Sequence, residues 1–528
     1  MEALGRHTSF SDQTARPYVH LPGSWHAARP RFPHPGLVVF PRTQEPVLGS
    51  EGWQAQKPRC ADGGSAMTRI TGMRAVGAAW LLTALTASGI VLAPGVTGAS
   101  STSSTFSTFG TLPSPCGKGH ATGATEQGVT NSTINIGYGD DRGFSGSPGL
   151  DQEMGDAVKA MIAWCDAQGG INGRKIVGDY YDSAVTQVGS VVAQACKTDF
   201  MLVGEGFALD GVAEQTRLGC NLAAVPGFTV SPVVANAYEM YQATPNPANY
   251  SPVSIAYQGE KLFGSKTKHV GQYDSTLSTQ QQSMAKDVQA YGEAGWKWVD
   301  CPFLVNYNGE ANYTPFVQKL QSCGAQIVFD NATPGPTLYG ALQAENQIGY
   351  NPVWLMDAAE YSEGFAQWNT SGLANNVYVR VGYEPLEAAK VVPAVAQYLS
   401  IVKKSGGLTS ALGEQATSSF LLWATEAKAC GSTLTRQCMI NHLSKVTTWT
   451  GGGLNAPSDP AKNLPSSCGI LMKLDNTKWV QYYPKKLGTF DCSPKYIVPN
   501  SGSVIGTTLD AQGYATQYAT GSVIKPQS

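Results

Sequence analysis

Residues 169–182 read Gly169-Gly170-Ile171-Asn172-Gly173-Arg174-Lys175-Ile176-Val177-Gly178-Asp179-Tyr180-Tyr181-Asp182. Gly169, Gly170 and Gly173 supply the backbone freedom of a tight turn. Lys175–Tyr181 then reads as a short strand that stops at the carboxylate of Asp182. Immediately upstream, Gln152–Gln168 is periodic like a helix, with Met154, Val158, Met161, Ile162 and Cys165 on one face. Ahead of it lie a strand, Ile134–Tyr138, and a Gly-rich loop. Strand, helix, turn and strand in that order form a βαβ unit, which demands a parallel sheet.

The alternation continues outward. A helix over Gln187–Thr198, a strand at Phe200–Val203, a helix over Asp210–Gly219 and a strand at Ala223–Val225 complete a first series. A second series has strands His269–Tyr273, Trp298–Val305, Ile327–Asp330, Val353–Met356 and Val377–Val381, with helices Ser278–Ala294, Asn312–Ser322 and Thr337–Gln347. Helices Val391–Lys404, Glu414–Ala429 and Leu434–Val446 follow, then strands Gly469–Lys473 and Trp479–Tyr483 around an Asp475-Asn476 turn. The series meet near Pro245–Pro252, and the chain returns to the first after Tyr383. The expected fold class is α/β, with two Rossmann-like lobes of parallel strands joined by hinge crossovers and a ligand cleft between them.

The start of the chain reads differently. Residues 1–66 are Pro-rich and hold His7, His20, His26 and His34. Met67 opens a pattern of basic Arg69 and Arg74, apolar Ala75–Leu92 and small Thr97-Gly98-Ala99, which is the layout of a signal peptide cut after Ala99. Residues 1–66 are accordingly expected to be a non-native or disordered extension, with translation starting at Met67 or Met73; N-terminal sequencing of the exported product checks this. A transmembrane anchor is the alternative, for which the apolar run barely reaches spanning length. Residues 67–99 are taken as the signal peptide and 100–128 as a Ser/Thr/Gly linker. One lobe is expected over 129–248 and 384–465, the other over 249–383 and 466–495, with a disordered tail over 496–528.

Charge narrows the partners. The totals of 36 Lys/Arg and 38 Asp/Glu, less nine and five in the first 99 residues, leave a net charge near −6 from Ser100 onward. A mildly acidic exported chain argues against a nucleic-acid partner. Cys60 precedes the expected cleavage, and the other ten cysteines are an even number in an exported chain, which favours disulfides. The local spacing favours Cys196/Cys220, Cys301/Cys323, Cys430/Cys438 and Cys468/Cys492, with Cys116 and Cys165 left over; spacing alone leaves connectivity open. No CxxC or metal-ligand spacing is present, and no metal or cofactor is expected. The Gly-rich loop 137–149 lacks both GxGxxG and a phosphate-loop lysine.

Ile134-Asn135-Ile136-Gly137, the Gly169–Ile176 turn with Asp182, Gln194-Ala195-Cys196-Lys197, Val203-Gly204 and Cys220 ahead of Ala224-Val225-Pro226 together resemble the type I periplasmic binding proteins of branched-chain amino acid ABC transporters. The likeness covers about residues 130–490. In the second lobe it rests on layout, through Tyr273-Asp274 and the helix starting Thr279-Gln280-Gln281. It implies a secreted or cell-envelope carrier that closes on a small ligand and docks on an ABC permease. The family often has a disulfide where Cys196 and Cys220 stand.

Carried over loop by loop, the resemblance implies ligand contacts from Asp141, Phe144, Glu205, Gly206, Phe207, Ala208, Thr229 and Ser231 in the first lobe. In the second it implies Tyr273, Asn331, Thr333 and Asp357, with Tyr383 in the return segment. Asp357 stands where amino-acid binders of the family carry an acid that pairs with the ligand ammonium. The hydroxyls they use for the carboxylate are missing from Glu205–Ala208, so an amide, urea-like, aromatic or peptide ligand fits as well as an amino acid. Each residue also has a structural reading: Asp140 and Asp141 as turn caps, Asp182 as an acceptor for local backbone N–H groups, Phe144, Phe207 and Phe228 as core, and Tyr383 as hinge packing.

Catalysis is the rival class. The histidines past the signal, His120, His269 and His442, are poorly placed for a triad, and neither G-x-S-x-G nor HExxH occurs. Paired carboxylates among Asp140, Glu205 and Asp357 remain open as a hydrolase alternative, as does a ligand-sensing receptor of the same fold. No catalytic residue is assigned.

Overall fold

The computed structural model describes residues 108–505. The expected extension, the signal peptide and the outer parts of the linker and tail lie outside the described residues.

The Gly169–Asp182 stretch forms the turn and strand that its residues suggest. Gly170 has φ +76°, and a Cβ there would stand 1.9 Å from the Arg174 carbonyl oxygen. Gly173, at φ +91°, lies against Gly119, whose oxygen a Cβ would meet at 2.5 Å. Only glycine fits either place. The helix Gln152–Gln168 buries Met154, Val158, Met161 and Cys165, and the strand Lys175–Asp182 pairs in parallel with Thr133–Asp140.

The first lobe is a four-stranded parallel sheet ordered Lys175–Asp182, Thr133–Asp140, Met201–Val203, Ala224–Val225. The helix Ala411–Cys430 packs on Gln152–Gln168 and buries fifteen residues, so the late helical block belongs to this lobe. In the second lobe Val270–Gln272, Ile327–Asp330, Val353–Met356 and Val377–Val381 run parallel; Cys468–Asp475 and Lys478–Tyr483 then add antiparallel strands at one edge.

Three expectations need correction. Trp298–Val305 makes only two isolated bridges, Val270 with Trp298 and Ser275 with Val305. Pro302 lacks the N–H a ladder needs, and Cys301 is bonded to Cys323. The segment taken as a linker is docked from Thr108 onward: Phe109 is fully buried, and Gly117 N–H and Ala121 N–H donate to Gly170 and Asn172 carbonyls at 2.7 and 3.1 Å. Backbone groups and one disulfide hold this segment, so its Ser/Thr/Gly composition carries no apolar signal. The tail read as disordered from residue 496 instead pairs Ile497–Pro499 with Tyr250–Pro252.

All ten cysteines from Cys116 onward are bonded: Cys116–Cys165, Cys196–Cys220, Cys301–Cys323, Cys430–Cys438 and Cys468–Cys492. Among the described residues no helix is long and apolar enough to cross a membrane.

Candidate functional site

Parallel strands in both lobes end toward the same gap, and the chain crosses it near Thr244, at Gly382–Tyr383 and again over Ala456–Pro465. The crossings are tied together. Ala456 N–H donates to the Gly382 carbonyl at 2.9 Å, Ser458 Oγ to the Ala243 carbonyl at 2.7 Å, and Gln242 Nε2 to Asn463 Oδ1 at 3.1 Å. The Tyr383 hydroxyl bonds Thr244 Oγ1.

Between the lobes lies a cavity of about 280 Å³. Phe144, Leu150, Val185, Phe228, Val230, Leu277, Tyr307 and Leu412 make most of its wall apolar. That size is nearly twice an apolar cavity of ~150 Å³ known to take benzene.

Contacts from both lobes bridge the cleft. Thr333 Oγ1, from the second lobe, donates to Asp151 Oδ1 of the first at 2.8 Å. Thr279 Oγ1 donates to the Ala208 carbonyl, and the Phe144 and Tyr307 rings stack at 5.7 Å. Asp151 is 2% exposed, and burial holds its carboxyl well above the usual range, with the Asp141 charge adding to the shift.

Seven of the thirteen expected contacts, Phe144, Ala208, Thr229, Asn331, Thr333, Asp357 and Tyr383, line this cavity. The other six lie outside its lining. Asp141 is buried behind it, accepting from Ser183 Oγ and from the Val185 and Ala208 N–H groups at 2.7 and 2.6 Å. Burial pushes the Glu205 carboxyl up to about 8. A Cβ on Gly206 would strike Phe228 at 2.4 Å, and Phe207 packs with Val188, Leu202 and Leu222. Ser231 precedes the short helix Pro232–Ala235, its N–H bonded to Asp210. Tyr273 donates its hydroxyl to the Thr337 carbonyl at 2.9 Å and packs edge-on against Trp354.

Asp357 lines the wall but is already engaged. It accepts from Ala358 N–H at 2.8 Å and from Arg380 Nη2 at 2.5 Å. Arg380 went unnoticed in sequence, although a lone cation within Val377-Tyr378-Val379-Arg380-Val381 is a usable signal. Asp151 and Gln415 were also missed: one begins a helix and the other lies far along the chain, and neither position marks a cleft. Behind Asp357 and Arg380 lie Lys286 and Asp287. Lys286 donates to Asn246 Oδ1 at 2.6 Å, and Asp287 accepts from Asn331 Nδ2 at 2.9 Å.

No histidine is among the lining residues. Asp140 is held by Arg142 and Tyr180 away from the cavity, and Asp182 accepts from the Gly143 and Ala184 N–H groups, each at 3.0 Å. His442 lies beside Cys430 and Cys438, whose sulfurs are joined to each other in a disulfide.

Two parallel-sheet lobes, three tied crossings and an interlobe cavity agree with a family model described as "Periplasmic binding protein", which matches residues 133–478. The chain belongs to the periplasmic binding protein family. Its fold is the type I form, the one that leucine/isoleucine/valine-binding proteins share. Solved structures of the same fold include a fatty acid ABC transporter substrate-binding protein from Thermomonospora curvata. It is 15% identical, covers 70% of this chain and 100% of its own, and superposes with TM-score 0.58. A leucine-binding protein from Thermotoga maritima is 13% identical over 66% of this chain and 97% of its own, with TM-score 0.54. An R. palustris ABC transporter solute-binding protein in complex with 4-hydroxybenzoate is 14% identical over 67% and 95%, with TM-score 0.53. No curated protein sequence matches the chain. At such identities the periplasmic-binding-protein likeness carries the fold, while the cargo differs from one neighbour to the next.

Proposed function

We propose that this protein is the extracytoplasmic substrate-binding component of an ABC importer. It captures one small polar molecule, an amino acid, an amide or a related compound, in the interlobe cavity and delivers it to a membrane permease. The observation that carries the reading is an interlobe cavity bridged by contacts between lobes that the chain joins through crossing segments. A ligand touching both walls favours the closed form, and the permease can then distinguish closed from open. The disulfide-rich chain and the signal-like Met67–Ala99 segment support action outside the cytoplasm.

A thermal-shift screen of amino acids, amides, aromatic acids and short peptides tests this, because a ligand that binds only the folded state raises Tm by mass action. A saturable rise with the ligand recovered unchanged is expected. Chemical conversion of the ligand would favour the hydrolase alternative, and no saturable binding across the screen would overturn the carrier reading.

A further inference from the structure

One face of the second lobe pairs lysines with tyrosines. The helix Ser254–Phe263 packs against the strand Cys468–Asp475. Tyr257 and Phe263 of that helix sit half-buried on one core cluster with Tyr378, Tyr482 and Tyr483 of the sheet. Ring contacts link the group: Phe263 to Tyr378 and Tyr378 to Tyr482 at 5.0 Å, and Tyr257 to Tyr496 at 5.4 Å. Lysines stand over these rings. Lys261 Nζ lies 4.2 Å from the Tyr483 ring centre, Lys485 Nζ 4.0 Å from Tyr482, Lys495 Nζ 4.2 Å from Tyr257 and Lys473 Nζ 6.0 Å from Tyr378. Val480, opposite Lys473 in the hairpin, is 46% exposed. None of these residues lines the cavity.

Charge is concentrated on the same face. Residues 254–268 and 473–495 hold eight lysines against Glu260, Asp475 and Asp491, a net charge of +5. Setting that +5 apart from the net charge near −6 of the chain from Ser100 onward leaves about −11 for the rest. Two of the three carboxylates are engaged within the face, Glu260 with Lys268 at 3.2 Å and Asp491 with the Tyr496 hydroxyl at 2.7 Å. Lysines on an edge strand guard against edge pairing. That role leaves Lys261 and Lys495 unexplained, because one lies on a helix and the other in the Pro494–Tyr496 turn, off the edge strand Lys478–Tyr483.

We infer that this face docks on the surface of an anionic lipid bilayer. Exposed lysines meet the headgroup phosphates, an attraction that acts within a Debye length of the surface. The tyrosine rings, apolar in body and polar at the tip, are the side chains that settle at a membrane–water boundary. Val480 and Leu487, 46% and 37% exposed, add apolar contact, and the lysine stems lie along the rings while their charges reach the phosphates. The acidic remainder of the molecule is repelled by such a surface, so the field turns this face toward it. Docking here uses no cavity residue and holds whether or not the carrier reading does.

Vesicle co-sedimentation of the full chain at low salt tests this, with equal parts phosphatidylglycerol and phosphatidylcholine against phosphatidylcholine alone. The apolar residues 75–92 bind both vesicles alike, so the ratio between the two affinities is the readout. At least about tenfold tighter binding to the anionic vesicles is expected, falling several-fold by ~0.5 M salt as the charges are screened. Lys261→Glu, Lys485→Glu and Lys495→Glu together are expected to remove that preference. Lys159→Glu, Lys404→Glu and Lys445→Glu, exposed positions of the first lobe with the same change in net charge, are expected to keep most of it. Should the first triple variant fail to fold, the milder pair Lys485→Gln and Lys495→Gln is expected to cost about threefold or more. Equal binding to both vesicles overturns the inference, as does a preference that salt leaves unmoved. A preference that survives the second-lobe substitutions, or that falls equally with the first-lobe ones, also overturns it. Tighter binding of soluble poly-L-glutamate than of the anionic vesicles would assign the face to an acidic protein and overturn the lipid assignment.

Discussion

Arg174 stands inside the Gly169–Asp182 stretch yet lies outside the cavity lining. It is 1% exposed, and its guanidinium donates to the carbonyls of Thr130, Gly431, Thr122 and Gly123 at 2.8 to 3.0 Å. These carbonyls come from three separate parts of the chain, so the residue sews the docked N-terminal segment and the late helical block onto the first βαβ unit. Arg174→Met leaves those acceptors without their donor and is expected to cost about 1–3 kcal/mol. A chemical denaturation series would show it as a lower midpoint, and an unchanged midpoint would remove Arg174 from this role. Asp357 teaches the opposite lesson about single residues. Its carboxylate was legible as a cleft-facing group, whereas its pairing with Arg380, 23 positions on in a neighbouring strand, depends on strand register that local sequence does not state.

At the level of elements, legibility followed burial pattern. Gln152–Gln168 begins and ends where its apolar period does, and Ile327–Asp330 and Val353–Met356 are fully buried runs with strand composition. Trp298–Val305 carried a similar composition and failed as a strand. The segment from Thr108 to about Gly128 failed in the other direction, because a stretch held by backbone hydrogen bonds leaves no apolar period to read. Its covalent anchor is Cys116–Cys165, which closes a 49-residue separation against the helix Gln152–Gln168. Replacing both cysteines with alanine is expected to lower stability by about 2–4 kcal/mol, since a loop of this length loses much of its unfolded-state freedom when closed. Comparing unfolding midpoints of the native and double-alanine chains checks it. A difference within error would mean that the backbone contacts alone hold the segment.

For the whole molecule, the consequence of burying so many carboxyls is a dependence of stability on pH. Burial pushes Glu205 and Glu345 up to about 8, and Asp210 and Asp330 up to about 7. Unfolded carboxyls titrate near about 4, so across the intervening range the folded chain binds more protons than the unfolded one. The stability from these groups is fully present below about pH 4 and is lost as pH rises through about 7 to 8. Unfolding midpoints should therefore be higher near pH 5.5 than near pH 8.5. Glu345→Gln, which keeps an acceptor for Trp354 Nε1, should flatten that slope; a midpoint that climbs toward pH 8.5 would contradict the assignment. The sequence by itself determined the α/β class, the two series and their return, because alternating apolar periods and glycine turns are local and dictate which backbone can form. Only the tertiary structure decided that the cleft closes through Asp151 and Thr333 and that Asp357 is already neutralised. Those outcomes depend on groups between 23 and 182 positions apart, brought together by packing and register that no local pattern encodes.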